Sequence, residues 1–124
     1  MAQITAGDSR ELALYAAELA LEKKGLDLYL LEVGQVSIVA DYFLLITGTT
    51  AIQVKTLCDH LIEKLKQRDV RPMRIEGYSE GWWVVLDYGT LVIHLFQPEA
   101  RTFYDLERLW SEAPRIMLAG DKDD

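Results

Sequence analysis

Residues 82–110, WWVVLDYGTLVIHLFQPEARTFYDLERLW, constrain the fold more than any other stretch of the chain. Two strand-like runs flank a Tyr-Gly turn at Tyr88 and Gly89, and Pro98 marks the first turn of a short helix. With the turn centred there, Leu86 pairs with Leu91, Val84 with Ile93 and Trp82 with Leu95. That face is wholly apolar and is expected to meet the core. The opposite face presents Trp83, Val85, Asp87, Thr90, Val92 and His94, with Trp83 across from His94. The stretch holds all three tryptophans of the chain but no residues spaced like a catalytic site, so it reads as a surface for holding a partner. Trp83 is either an anchor for that partner or is covered by a helix.

The remaining elements follow from periodicity and punctuation. A first helix is expected from Ser9 to Lys24, with Asp8 or Ser9 at the N-cap, an Asp8/Glu11 capping pair and Gly25 as the stop. Leu28–Val33 and Tyr42–Thr47 are short runs too apolar for an exposed ribbon, and read as central strands joined by a polar loop at 34–41. Thr50 and Gln53 form a capping box for a second helix, on which Val54, Leu57, Cys58, Leu61 and Leu65 recur at helical spacing. Arg68, Asp69 and Pro72 end it. A third strand near Met73–Glu76 and a loop at Gly77–Gly81 lead back to the tryptophans.

A chain of 124 residues, half of them hydrophobic, fits a single compact domain. The expected domain spans residues 1–120, with the acidic residues 121–124 as a disordered tail. A net charge of −7 argues against strong phosphate binding, which Lys and Arg supply, and suits a basic protein partner better. The sequence shows neither a signal peptide nor an unbroken apolar run of about 20 residues, so no membrane is expected. Cys58 is the only cysteine, which rules out an intrachain disulfide. Its place on an apolar helical stripe reads as core packing, and a reducing cytoplasmic setting is expected.

His94 is one histidine on a strand without ligands at metal spacing, so a structural or interface role is expected, and His60 reads as solvated. Arg101, Tyr104 and Glu107 recur at helical spacing, either as a polar rim to the tryptophan face or as ordinary support along an exposed helix. Thr47, Gly48, Thr49 and Thr50 lie between a strand and a helix N-terminus, where backbone amides could receive phosphate. That segment lacks a P-loop Lys and a close carboxylate pair, and capping accounts for Thr50, so a nucleotidyltransferase-like enzyme or nucleotide binder is the alternative function only. No cofactor or metal is called for.

The motifs DYFLLITGTT at 41–50, EG at 76–77, WVVLDYGTLVIHLF and ARTFYDLERLW together resemble the Iojap, or ribosomal silencing factor, family over about residues 9 to 111. The resemblance implies an α/β domain with a mixed sheet of about five strands flanked by helices, similar to the nucleotidyltransferase fold. It also implies a translational repressor that performs no chemistry. Such a protein binds the large ribosomal subunit through ribosomal protein fourteen and blocks joining of the small subunit. Position by position, it places partner contacts at Trp83, Asp87 and Tyr88. The chain departs from the family pattern at Trp82, where a polar residue is common, and at Thr90, where an acidic one is. A homodimer through the same aromatic patch is a further expectation.

Overall fold

The computed structural model describes residues 6–35, 38 and 40–119; the expected tail at 121–124 lies outside the described residues. Helix α1 (Ala6–Glu22) leads into strand β1 (Leu26–Glu32), a 3-10 turn (Val33–Gln35) and strand β2 (Tyr42–Thr47). Helix α2 (Ala51–Gln67) and strands β3 (Arg74–Glu76), β4 (Trp83–Asp87) and β5 (Leu91–Phe96) follow. Two short helices, α3 (Pro98–Tyr104) and α4 (Leu106–Leu109), precede strand β6 (Arg115–Ala119). Among the described residues the sheet has six strands in the order β3-β4-β5-β2-β1-β6, with β2 and β5 parallel and the other neighbours antiparallel. The mixed α/β architecture is the expected one. The additional strand is β6, an apolar strand that pairs with β1 at the edge of the sheet among the described residues.

The helices divide between the two faces of the sheet. On one face, α1 contributes Leu12, Ala13, Ala16 and Ala20, and α2 contributes Val54, Leu57, Cys58, Leu61 and Leu65. These pack on Leu28, Leu30, Leu44, Ile46, Val84, Leu86, Ile93 and Leu95 of the strands. Burial pushes the Cys58 thiol up to about 12, so it stays protonated and inert, as its place on the stripe implied. The second face carries a smaller cluster in which Leu31, Leu45, Val92 and Phe96 meet Ala100 of α3 and Leu106 of α4.

Caps explain where the helices stop. At the end of α1 the Gly25 N–H bonds to the Ala20 carbonyl at 2.8 Å and the Lys24 N–H to Leu21 at 3.1 Å. This is the paired arrangement of a Schellman motif. The left-handed residue is Lys24 (φ 65°), while Gly25 is needed for room, since a Cβ there would lie 3.1 Å from both the Ala20 carbonyl oxygen and the Ile46 side chain. Because the helix already starts at Ala6, Asp8 and Ser9 lie in its first turn and the expected N-cap is corrected. The Ser9 hydroxyl is buried and hydrogen-bonded to that of Thr90, which ties α1 to the hairpin turn.

Thr50 caps α2, accepting the Gln53 N–H at 3.0 Å. Only half of the expected capping box forms, because the Gln53 amide donates instead to the Lys23 carbonyl at 2.6 Å and so joins the end of α1 to the start of α2. His60, expected to be solvated, is mostly covered and pairs through Nε2 with Glu22 Oε1 at 2.8 Å. That contact is a second tie between the two helices.

Along the paired strands the hairpin faces are as expected, whereas Thr90, expected on the Trp83 face, bonds to Ser9 of α1 on the helical side; the register is displaced by two residues, so that Leu86 pairs with Ile93, Val84 with Leu95, Val85 with His94 and Trp83 with Phe96. A shift of two keeps every side chain on its own face. The turn is longer because it is held from outside, the Thr90 carbonyl accepting from the Asp41 and Tyr42 N–H groups at 2.8 and 3.0 Å. Trp82 was expected in the core, yet it precedes the first residue of β4 and is 37% exposed. The strand has reached the end of the helical layer there, where Gly81 packs against Ala51 at the start of α2.

Candidate partner-binding face

The second face of the sheet is covered over its centre by α3 and α4 and left partly open over β4. Strand alternation sends Trp83, Val85 and Asp87 to this side from β4, and His94 and Phe96 from β5. Neighbouring β2 adds Phe43. The Trp83 ring stacks on Phe96 at 5.6 Å between centroids and meets Tyr104 of α3 at 4.5 Å. Its indole N–H donates to His94 Nδ1 at 3.1 Å. Phe43 approaches His94 edge-on at 4.7 Å and Trp110 at 5.3 Å, which extends the aromatic surface beyond α4. Trp83, Val85, Phe43 and Trp110 are partly buried, Tyr104 is exposed, and Phe103 beside it is 75% exposed.

A break in the helix shapes the lip of this face. Asp105 adopts a left-handed conformation (φ 47°, ψ 56°), closes α3 by donating its N–H to the Arg101 carbonyl at 2.8 Å, and opens α4 through its side chain. The redirected chain brings Glu107 to Arg101, Nη2 to Oε2 at 2.8 Å. Arg101 Nη1 reaches the Asp27 carbonyl and Thr47 Oγ1, both at 2.7 Å. With its side chain only 11% exposed, Arg101 pins α3 and α4 to the ends of β1 and β2. The expected polar rim of Arg101, Tyr104 and Glu107 therefore divides: Arg101 and Glu107 satisfy each other inside, and Tyr104 alone lies on the aromatic surface.

Asp87 serves the turn. Its Oδ1 accepts the Gly89 N–H at 2.8 Å, with Gly89 at φ 92°, and its Oδ2 pairs with Arg74 of β3 at 3.2 Å. Tyr88 points the other way, into the helical side of the core, where it is 4% exposed. A ring so placed cannot fill a niche on a partner, and its role is to hold the turn from within. Burial also raises its hydroxyl well above the ordinary tyrosine value. His94 is 6% exposed, and burial lowers its pKa to about 4 against a smaller opposing pull from Asp87, so the ring is neutral.

Trp83, Val85, His94 and Tyr104 thus come together on one side of the sheet with Asp87 at its margin. Phe43, Phe96 and Trp110 belong to the same surface and were not singled out. Phe43 lies in a run whose uniform apolarity hid which residues face which side, whereas Trp110, the last tryptophan of the motif, was already visible in the sequence.

The family model described as ribosomal silencing factor during starvation matches residues 6–124. The ribosomal silencing factor RsfS of Halalkalibacterium halodurans is 32% identical over 112 residues, spanning 90% of this chain and 96% of that protein. The chloroplastic Iojap protein of Zea mays is 28% identical over 126 residues, spanning 95% of this chain and 53% of that protein. A crystal structure of a protein from Chromobacterium violaceum superposes with a TM-score of 0.81 at 30% identity, covering 92% of this chain and 95% of that one.

Proposed function

We propose that this chain, which belongs to the RsfS family of ribosomal silencing factors and is thereby a ribosome-associated translation regulator, binds the large subunit through ribosomal protein fourteen and blocks joining of the small subunit. The observation that carries this reading is the half-covered aromatic face, where the Trp83 and Tyr104 rings meet at a tilt, 4.5 Å between centroids, with Val85 beside them. Interface anchors are aromatic residues held rigidly with one side still open to a partner. Trp83 and Tyr104 have that form, and the Asp87–Arg74 pair would supply a polar margin.

The mechanism is exclusion of volume rather than chemistry. Seated on a protein that contributes to the intersubunit surface, the domain would occupy space the small subunit needs. A net charge of −7 favours encounter with a basic ribosomal protein over binding to RNA phosphates. Against the alternative of a nucleotide site before α2, the Gln53 N–H is taken by Thr50 Oγ1 and the Gly48 N–H by the Phe96 carbonyl, so two of the amides near that turn are already engaged.

Sedimentation of the purified chain with isolated large subunits tests the reading. Binding without added nucleotide is the expected result, and failure to co-sediment would overturn it.

A further inference from the structure

We propose that His94 is a positioning residue for the partner contact: it does not meet the partner, but fixes the orientation in which Trp83 does. The inference rests on the reading of this face as the ribosome-binding surface. An indole N–H can only donate, so the 3.1 Å contact requires a lone pair on His94 Nδ1 and puts the imidazole proton on Nε2. The bond runs diagonally along the sheet. Trp83 stands opposite Phe96 and His94 opposite Val85, so the indole reaches back to the neighbouring pair.

The other contacts of Trp83 do not distinguish one ring orientation from its flip. Stacking on Phe96 at 5.6 Å and contact with Tyr104 at 4.5 Å are apolar, and the second side-chain torsion of a tryptophan is broad. A flipped indole would keep much of that stacking, yet turn a different edge outward and leave its N–H away from Nδ1. His94 is a rigid reference for this choice, because it is buried and edged by Phe43 at 4.7 Å. Its acceptor therefore selects one presentation of the indole before the partner arrives, which lowers the ordering cost of binding.

Two substitutions separate the acceptor from the packing. His94→Asn removes ring volume but places an amide oxygen near the position of Nδ1, whereas His94→Phe keeps a ring and removes the acceptor. The expected result is that His94→Phe binds large subunits about 10-fold more weakly, while His94→Asn recovers most of the affinity of its folded fraction despite a lower melting temperature. The reverse order would make His94 a packing residue and overturn the proposal. In the unaltered protein, nitrogen NMR should show an unprotonated Nδ1 with a scalar coupling to the Trp83 indole nitrogen; a protonated Nδ1 would also overturn it. Trp83→Ala serves as the reference. Undiminished binding by that variant would remove the face itself, whereas weakened binding beside a fully active His94→Phe would remove only the positioning role.

Discussion

Arg101 and Glu107 belong to different helices, yet their side chains meet at 2.8 Å because the left-handed Asp105 between them turns α4 back toward α3. The pair is largely buried, and Arg101 has two further acceptors on the sheet, Asp27 and Thr47. Removing one member of such a pair leaves the other charge unsatisfied. Arg101→Ala should therefore destabilise the fold by about 3 kcal/mol, and loosen α3 and α4 before the rest. Hydrogen exchange resolved by segment would check this. Unchanged protection across residues 98–109 would show that Arg101 does not pin the lip.

The two adjacent tryptophans should behave differently. Trp82→Ala should cost no more than about 1 kcal/mol, since its side chain stands at the edge of the helical layer. Trp83→Ala removes the Phe96 and Tyr104 contacts together with the bond to His94, and should cost about 3 kcal/mol of stability. It should also weaken ribosome binding by about 30-fold or more in its folded fraction. Thermal melts of the two variants, followed by binding below both transitions, would test the contrast. A larger loss of stability at Trp82 would mean that the hairpin is misplaced against α2.

His94 gives the protein a pH-dependent term. In the unfolded chain it titrates near 6.5, and in the fold burial lowers this to about 4. Between these values the unfolded chain takes up the proton and the native state does not, so acidification favours unfolding. The contribution is complete above pH 6.5 and is lost as pH falls to about 4, and it amounts to about 3 kcal/mol at most. Denaturant titrations of the protein and of His94→Phe should converge in stability, or change order, as pH falls through that window. A constant difference would mean that His94 titrates normally.

Lys24 is a site for gain. It holds a left-handed conformation (φ 65°) that costs an ordinary residue roughly 1 kcal/mol, and the bonds to this segment from Gln53 use backbone carbonyls. Lys24→Gly should stabilise the protein by about 1 kcal/mol, less the added entropy of the unfolded chain. Calorimetry would decide, and a lower melting temperature would show that the lysine side chain contributes more than its conformation costs.

What the sequence made legible was what local chemistry determines. The apolar stripe of α2 and its Thr50 cap needed only residues a few positions apart. The two faces of the hairpin were also readable, because alternation survives a shift of two residues. Register was not, since the turn is held by Asp41 and Tyr42, and Tyr88 enters the core, both being contacts between segments distant in sequence. β6 escaped notice because an edge strand with one partner has little periodic signal. Neither reading of Arg101, as rim or as support along an exposed helix, anticipated its burial, because helical spacing reveals neither the break at Asp105 nor the waiting carbonyl of Asp27. Residue type indicated the aromatic face, while burial decided that Tyr88 would stand outside it.

Subunit joining, measured by light scattering or gradient sedimentation after mixing purified large and small subunits with the chain, tests the central claim most directly. Pre-incubating large subunits with the protein should reduce joined ribosomes in proportion to occupancy, without nucleotide, and Trp83→Ala should lose the effect at concentrations where the unaltered protein is saturating. Normal joining of large subunits that demonstrably carry the protein would contradict the account.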